Sequence, residues 1–215
     1  MIVLTAGDGF SCEHVWPMWP TVIENLTEDT QVIRLGKIGA GNEYIFNAVL
    51  DYIYNNKVDY VIVQWAKSDR LDLIIDDQDK LELMNSCPDY FNNNYTLNSA
   101  TWWLSSASKK VKNIIGLTQS KVRTKNYILA LEAILEKLGI AYSFFSTYRC
   151  DVYPDKDINW GKWIDILGMQ YFSLKPEFRD VRTNNVQPST YVQEQYVLTY
   201  MKDRLPLKWK KNDIQ

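Results

Sequence analysis

Met1-Ile2-Val3-Leu4-Thr5-Ala6-Gly7-Asp8-Gly9-Phe10-Ser11 opens the chain and sets its architecture. Its apolar start, Met1 to Leu4, reads as a strand. The Gly7-Asp8-Gly9 turn follows almost at once. A strand that runs into such a turn lifts backbone amides and one side chain to the C-terminal edge of a sheet. That edge is where ligands bind in open α/β sheets.

Outward from this turn, strands and helices alternate. Pro20 suits the first turn of a helix, where its missing N–H costs nothing, and that helix is expected to end near Leu26. Gln31 to Leu35 is β-rich and reads as a second strand. Gly36-Lys37-Ile38-Gly39-Ala40-Gly41-Asn42 is a second glycine turn, with Asn42 as the expected N-cap. Ile45, Phe46, Val49, Leu50 and Ile53 then form a one-sided stripe at helical spacing, stopped by Asn55-Asn56. Tyr60-Val61-Ile62-Val63-Gln64-Trp65 is a nearly continuous apolar run, as expected of a parallel strand covered on both faces. Short connections make a right-handed parallel sheet the default.

The pattern loosens over 67–117, which reads as an irregular insertion or lid. Leu71 to Leu83 is acidic and mixed, and Cys87 to Asn98 reads as loop. Ala100 to Val111, with Trp102 and Trp103, reads as helix. Lys121 to Leu138 is a clear helix with Ile128, Leu131, Ile134, Leu135 and Leu138 on one face, stopped by Gly139. Ala141 to Ser146 is the fourth strand. Trp160 to Leu167 reads as a short helix and Ser173 to Val186 as loop. A last helix opens at Pro188-Ser189 and runs to about Leu205, with Val192, Tyr196, Val197, Tyr200 and Met201 inward. Thr190 and Gln193 are spaced as a capping box, and Ser189 is an equally good cap. The expectation is one domain over 1–215, a three-layer α/β/α sandwich around a flavodoxin-like parallel sheet of about five strands.

Composition narrows function. The 215 residues carry 46% hydrophobic and 23% charged side chains, the balance of a soluble globular protein. A net charge of -2 argues against a general nucleic-acid binder. Lys109 to Lys112 and Lys208 to Lys211 read as solvated faces or a tail. No apolar run is long enough to span a bilayer, and the start lacks the basic n-region of a signal peptide. Cys12, Cys87 and Cys150 form no CxxC pair, which fits a reducing, cytoplasmic setting with no zinc site and no cofactor. The eight Trp and fourteen Tyr serve a core and its rim, an oligomer interface, or a stacking platform for sugars.

The order of blocks resembles the SGNH (GDSL) hydrolase family over nearly the whole chain. Gly7-Asp8-Gly9-Phe10 matches the first block, with Trp19-Pro20 in the helix that follows. Gly39 looks like the second block's glycine, whose amide helps form the oxyanion hole. Ala66-Lys67-Ser68-Asp69 stands where the family carries Gly-x-Asn-Asp. Asn184-Asn185-Val186-Gln187-Pro188-Ser189 stands where Asp-x-x-His-Pro precedes the last helix. The chain is also similar to uncharacterised phage-encoded proteins, which implies action in a host cell.

The resemblance implies a serine, histidine and aspartate triad, and this sequence lacks it. Gly9, Gln187 and Asn184 occupy the three positions, and Ser68 replaces the oxyanion-hole asparagine. Gln and Asn cannot accept a proton at neutral pH, and glycine offers no nucleophile. Two readings stay open. The pocket keeps hydrogen-bonding groups for a polar ligand, or its residues have drifted to fill space. The candidate cleft is Asp8, Gly9, Gly39, Asn42, Ser68, Asp69, Arg70, Asn184 and Gln187.

Replacement chemistry is also open. Asp8, Asp69 and Ser11 are the catalytic candidates, Ser11 with a side chain expected to point away from the turn tip. Asp8, Asp69 and Glu13 could cluster for acid–base work or a divalent ion, although capping loop amides is the simpler role. A Cys12–His14 dyad would be unusual. Arg70 could bind an anionic ligand, or pair with Asp69 or Asp72. Three functions follow: a catalytically degenerate binder of a polar or carbohydrate-like ligand or a protein partner; an esterase, carbohydrate deacetylase or acyltransferase rebuilt on Asp8 or Asp69; or an assembly protein, a homo-oligomer through the Trp/Tyr-rich loop from Tyr90 to Trp103.

Overall fold

A computed structural model describes residues 1–12, 17–74, 99–103, 117–173, 175, 177 and 188–210. Five strands form one all-parallel sheet: β1 (Ile2–Ala6), β2 (Gln31–Arg34), β3 (Tyr60–Trp65), β6 (Ala141–Ser146) and β7 (Trp163–Asp165). Their order is β2-β1-β3-β6-β7. Val3 pairs with Val32 on one side and with Tyr60 on the other, and Tyr60 in turn pairs with Ala141. This is the flavodoxin-like order, whose switch point lies between β1 and β3.

The period-2 alternation of each strand builds two cores. Val3, Ile62 and Phe145 face α1 (Trp19–Leu26) and α5 (Thr190–Tyr196), where Trp19, Ile23, Val192 and Tyr196 bury. Leu4, Val61, Val63 and Phe144 face α2 (Asn42–Asn55) and α3 (Leu117–Leu138), where Ile45, Val49, Ile128 and Leu131 bury. The molecule is therefore a three-layer α/β/α sandwich. Pro20 does lie in the first turn of α1. Gly139 ends α3 with a left-handed φ of 67°, and Ile140 N donates back to Leu135 O at 2.9 Å.

Several local expectations are corrected. Trp160 to Leu167 is not a helix. A 3-10 turn, Trp160–Lys162, leads into β7. The Asn159 side chain accepts from Gly161 N at 3.2 Å and starts the turn. Trp163 and Ile164 then bury on opposite sides of the sheet, which only a strand allows. The start of the Ala100–Val111 segment is also extended: β5 (Ser99–Trp103) pairs antiparallel with β4 (Arg70–Ile74). Residues 104–111 of that expected helix lie outside the described ones.

Asn42 is the first residue of α2, and Gly41 holds the N-cap position. The Asn42 amide instead bridges the backbone of Ala66, donating to its O at 3.0 Å and accepting from its N at 2.8 Å. The capping box at Thr190 does not form. Gln193 accepts from Trp19 N at 3.1 Å, and the Thr190 hydroxyl donates to Pro17 O at 3.2 Å. The last helix is α-helical to Tyr196 and continues as a π-helical turn over Val197–Met201. A short helix, α4 (Met169–Ser173), precedes it. Among the described residues, no helix is long and apolar enough to cross a membrane.

Candidate functional site

The loops after β1 and β3 meet at the switch point. After β1 the chain turns tightly, with Ser11 N donating to Asp8 O at 2.8 Å. Asp8 Oδ1 accepts from Phe10 N at 3.0 Å. Asp8 Oδ2 lies 2.9 Å from Arg70 Nη1, and both side chains are buried. Burial pushes the Asp8 carboxyl above the usual carboxylate range. The Arg70 guanidinium, the Phe10 amide and the Thr147 hydroxyl oppose that push. Arg70 therefore pairs with Asp8.

Arg70 is also a tether. Its Nη1 donates to Ala40 O at 2.9 Å, which fixes β4 against the second glycine turn. Two residues on, Asp72 caps α2. Its Oδ1 accepts from Gly41 N and its Oδ2 from Tyr44 N, both at 2.8 Å. A carboxylate at a helix N-terminus satisfies orphan amides and meets the positive end of the helix dipole. The second glycine turn is pinned to the first by Lys37 N, which donates to Gly7 O at 3.1 Å. Gly39 sits in that turn at a left-handed φ of 79°.

Ser11 is enclosed in this arrangement. It is 1% exposed. Its hydroxyl donates to Gln64 Oε1, and it accepts from Trp19 Nε1 at 3.3 Å. Two glycines make room for it. A Cβ on Gly36 would come within 2.8 Å of Ser11 Cβ, and one on Gly7 within 2.8 Å of Gln64 Cβ. In the loop after β3, the Ser68 hydroxyl donates to Asp151, and Asp69 Oδ2 accepts from Lys67 Nζ at 2.9 Å. Ser68 and Asp69 are both buried.

A crevice opens beside these groups, between the N-terminal ends of α2 and α3. Its enclosed space is small, about 10 Å³, and the rest is open to solvent. Asn42, Ser68, Arg70 and Asp72 line one side, and Ser120, Arg123, Thr124 and Tyr127 the other. Its charges are neutralised internally: Arg123 pairs with Glu43, and Asp72 takes two amides. Hydroxyls remain. Among the described residues, Ser120 Oγ is buried with no hydrogen-bond partner, and Thr124 Oγ1 accepts from Asn42 Nδ2 at 3.0 Å.

So Asp8, Gly9, Gly39, Asn42, Ser68, Asp69 and Arg70 do gather at one sheet edge. Asn184 and Gln187 lie outside the described residues, as do Glu13, His14 and most of the Tyr90–Trp103 loop. Among the described residues, no group of three or more His, Cys, Asp or Glu could hold a metal ion. The buried Cys150 thiol is pushed up to about 12 by burial and is inert at neutral pH. Sequence reasoning missed Asp72 as the α2 cap and Asp151 as the partner of Ser68. It also missed Gln64, which a polar residue within an apolar strand could have signalled: buried amides need partners.

No protein-family model matches the chain, and no curated protein matches it. Among solved structures, a Streptococcus pneumonia protein provisionally described as a platelet activating factor is similar, at 9% identity and a TM-score of 0.45. The likeness covers 94% of this chain and 82% of that one.

Proposed function

We propose that this chain is a non-hydrolytic SGNH-like protein that binds a small polar ligand through the crevice between α2 and α3. The observation that carries the reading is the buried Asp8–Arg70 pair, 2.9 Å apart, beside a glycine at the nucleophile position. A general base must reach the proton it takes. Asp8 is fully buried and engaged with Arg70 and the Phe10 amide, and Asp69 is engaged with Lys67. That supports binding over an esterase, deacetylase or acyltransferase rebuilt on either carboxylate.

The crevice also suggests the ligand's class. A charged ligand would have to break one of the internal pairs. A neutral, hydroxyl-rich ligand of carbohydrate type can use Ser120 and Thr124 and lie against Tyr127 without doing so. The sparse cysteines and the resemblance to phage-encoded proteins suit work inside a host cell.

Titration with glucose and N-acetylglucosamine, followed by backbone NMR, tests the reading. Saturable shifts at Asn42, Ser120 and Thr124, weakened by Thr124→Val, are expected. Shifts confined to other surfaces would contradict it.

A further inference from the structure

On the far flank of α3, the connection from β6 to β7 replaces a crossover helix with a loop laid along α3. Two kinds of contact hold it. Lys125 Nζ lies 2.8 Å from both Asp155 and Asp157. One and a half to two turns further along α3, Glu132 meets the loop at the Asn159 amide, a long 3.4 Å contact to Oε2. Glu132 is 6% exposed, and among the described residues its buried Oε1 has no hydrogen-bond partner.

The groups around Glu132 favour its neutral form. From α3, Glu136 adds a like charge one turn away. From β6, the Tyr142 hydroxyl donates to Glu136 Oε1 at 3.0 Å and not to Glu132. From the loop, Lys162 Nζ sits over the Tyr142 ring, 5.2 Å from its centroid, while Asp155 and Asp157 are held by Lys125. Among the described residues, no cation pairs with Glu132. Burial, then the Glu136 charge, outweigh the Asn159 amide, and the carboxyl is pushed up to about 7.

We propose that the β6–β7 connection is a pH-responsive latch: ionisation of Glu132 loosens the loop from α3 and, through Asp151, alters the setting of Ser68 at the cleft edge. Asp151 lies in that same loop and accepts the Ser68 hydrogen bond. The link to function rests on the crevice being the binding site; the latch itself does not.

The sign follows from linkage. The docked loop holds Glu132 protonated up to about 7, whereas a released Glu132 ionises above its ordinary 4.5. Release therefore sheds a proton between those values and becomes easier as pH rises through that window, levelling off above it. The Lys125 bridges act at the other end. The Lys125 ammonium and the Asp157 backbone amide hold Asp155 below its usual range, so the Asp155 bridge persists through this window.

Two measurements on the full chain test this. Carboxyl NMR should give Glu132 a midpoint near 7. Amide exchange at Asn159 and Gly161, corrected for intrinsic rates, should lose about tenfold or more of its protection from about pH 5 to 7.5. The Ser68 amide shift should follow the same midpoint. Glu132→Gln should make both profiles flat. A midpoint near 4.5, a pH profile that survives Glu132→Gln, or a Ser68 shift indifferent to this window would overturn the proposal. None of these readouts uses a ligand, so a failure of sugar binding is separately visible.

Discussion

Arg70 Nη1 stands 2.9 Å from Asp8 Oδ2 at the switch point of the sheet, with both side chains buried. The pair joins the turn after β1 to the first residue of β4. Removing one partner of a buried ion pair leaves an uncompensated charge, at about 3–5 kcal/mol. Asp8→Asn leaves Arg70 beside a neutral group, as protonation of Asp8 does in the unmodified chain. Arg70→Met strands Asp8, which can take a proton. With the folded carboxyl raised above 3.8, the burden is small below that value and grows as pH rises through the raised one. Denaturant unfolding at about pH 4 and pH 7 should show a smaller loss in acid for Arg70→Met. A loss as large in acid as at neutral pH would contradict the pairing.

Gly36 is fixed by Ser11. An added Cβ would come within 2.8 Å of Ser11 Cβ and closer still to its backbone. Gly36→Ala should cost about 1–3 kcal/mol in unfolding, the range for overpacking. A neutral variant would mean that the two turns are not in this contact.

The sheet's β2 edge is closed by side chains from within. Glu24 Oε1 accepts from Val32 N at 3.1 Å, and Arg34, paired with Glu24, donates to Val32 O at 3.4 Å. Open edges invite pairing with other chains. Glu24→Ala should raise self-association in sedimentation velocity, whereas an unchanged profile would show that this clamp is not what guards the edge.

How far the sequence revealed this arrangement depends on range. Strands such as Tyr60–Trp65 and helices such as α3 are written in local periodicity, and both were legible. β7 was not. Its three residues carry no period of their own, and it is a strand because Trp163 and Ile164 fill opposite cores. β5 read as helix because nothing local shows that β4 pairs with it. The cleft was legible as a set of turns, but its wiring was not. Arg70 reaches back past α2 to Asp8, and Asp72 reaches back 31 residues to Gly41. Such contacts exist only once the sheet has formed.

The assignment of Gly9, Asn184 and Gln187 to triad positions has its own test. Gly9→Ser, Asn184→Asp and Gln187→His together should give hydrolysis of p-nitrophenyl acetate above the unmodified chain, because the triad accounts for most of such activity. A rate no higher than that of Gly9→Ser alone would undo the alignment of the last block.

The central claim is that the cleft, as this chain builds it, does not hydrolyse esters. The most direct measurement is p-nitrophenyl acetate turnover by the unmodified protein, compared with Asp8→Asn, Asp69→Asn and Ser11→Ala. The account predicts a rate equal to buffer for all four. Turnover above buffer that disappears in any of the three variants would contradict it.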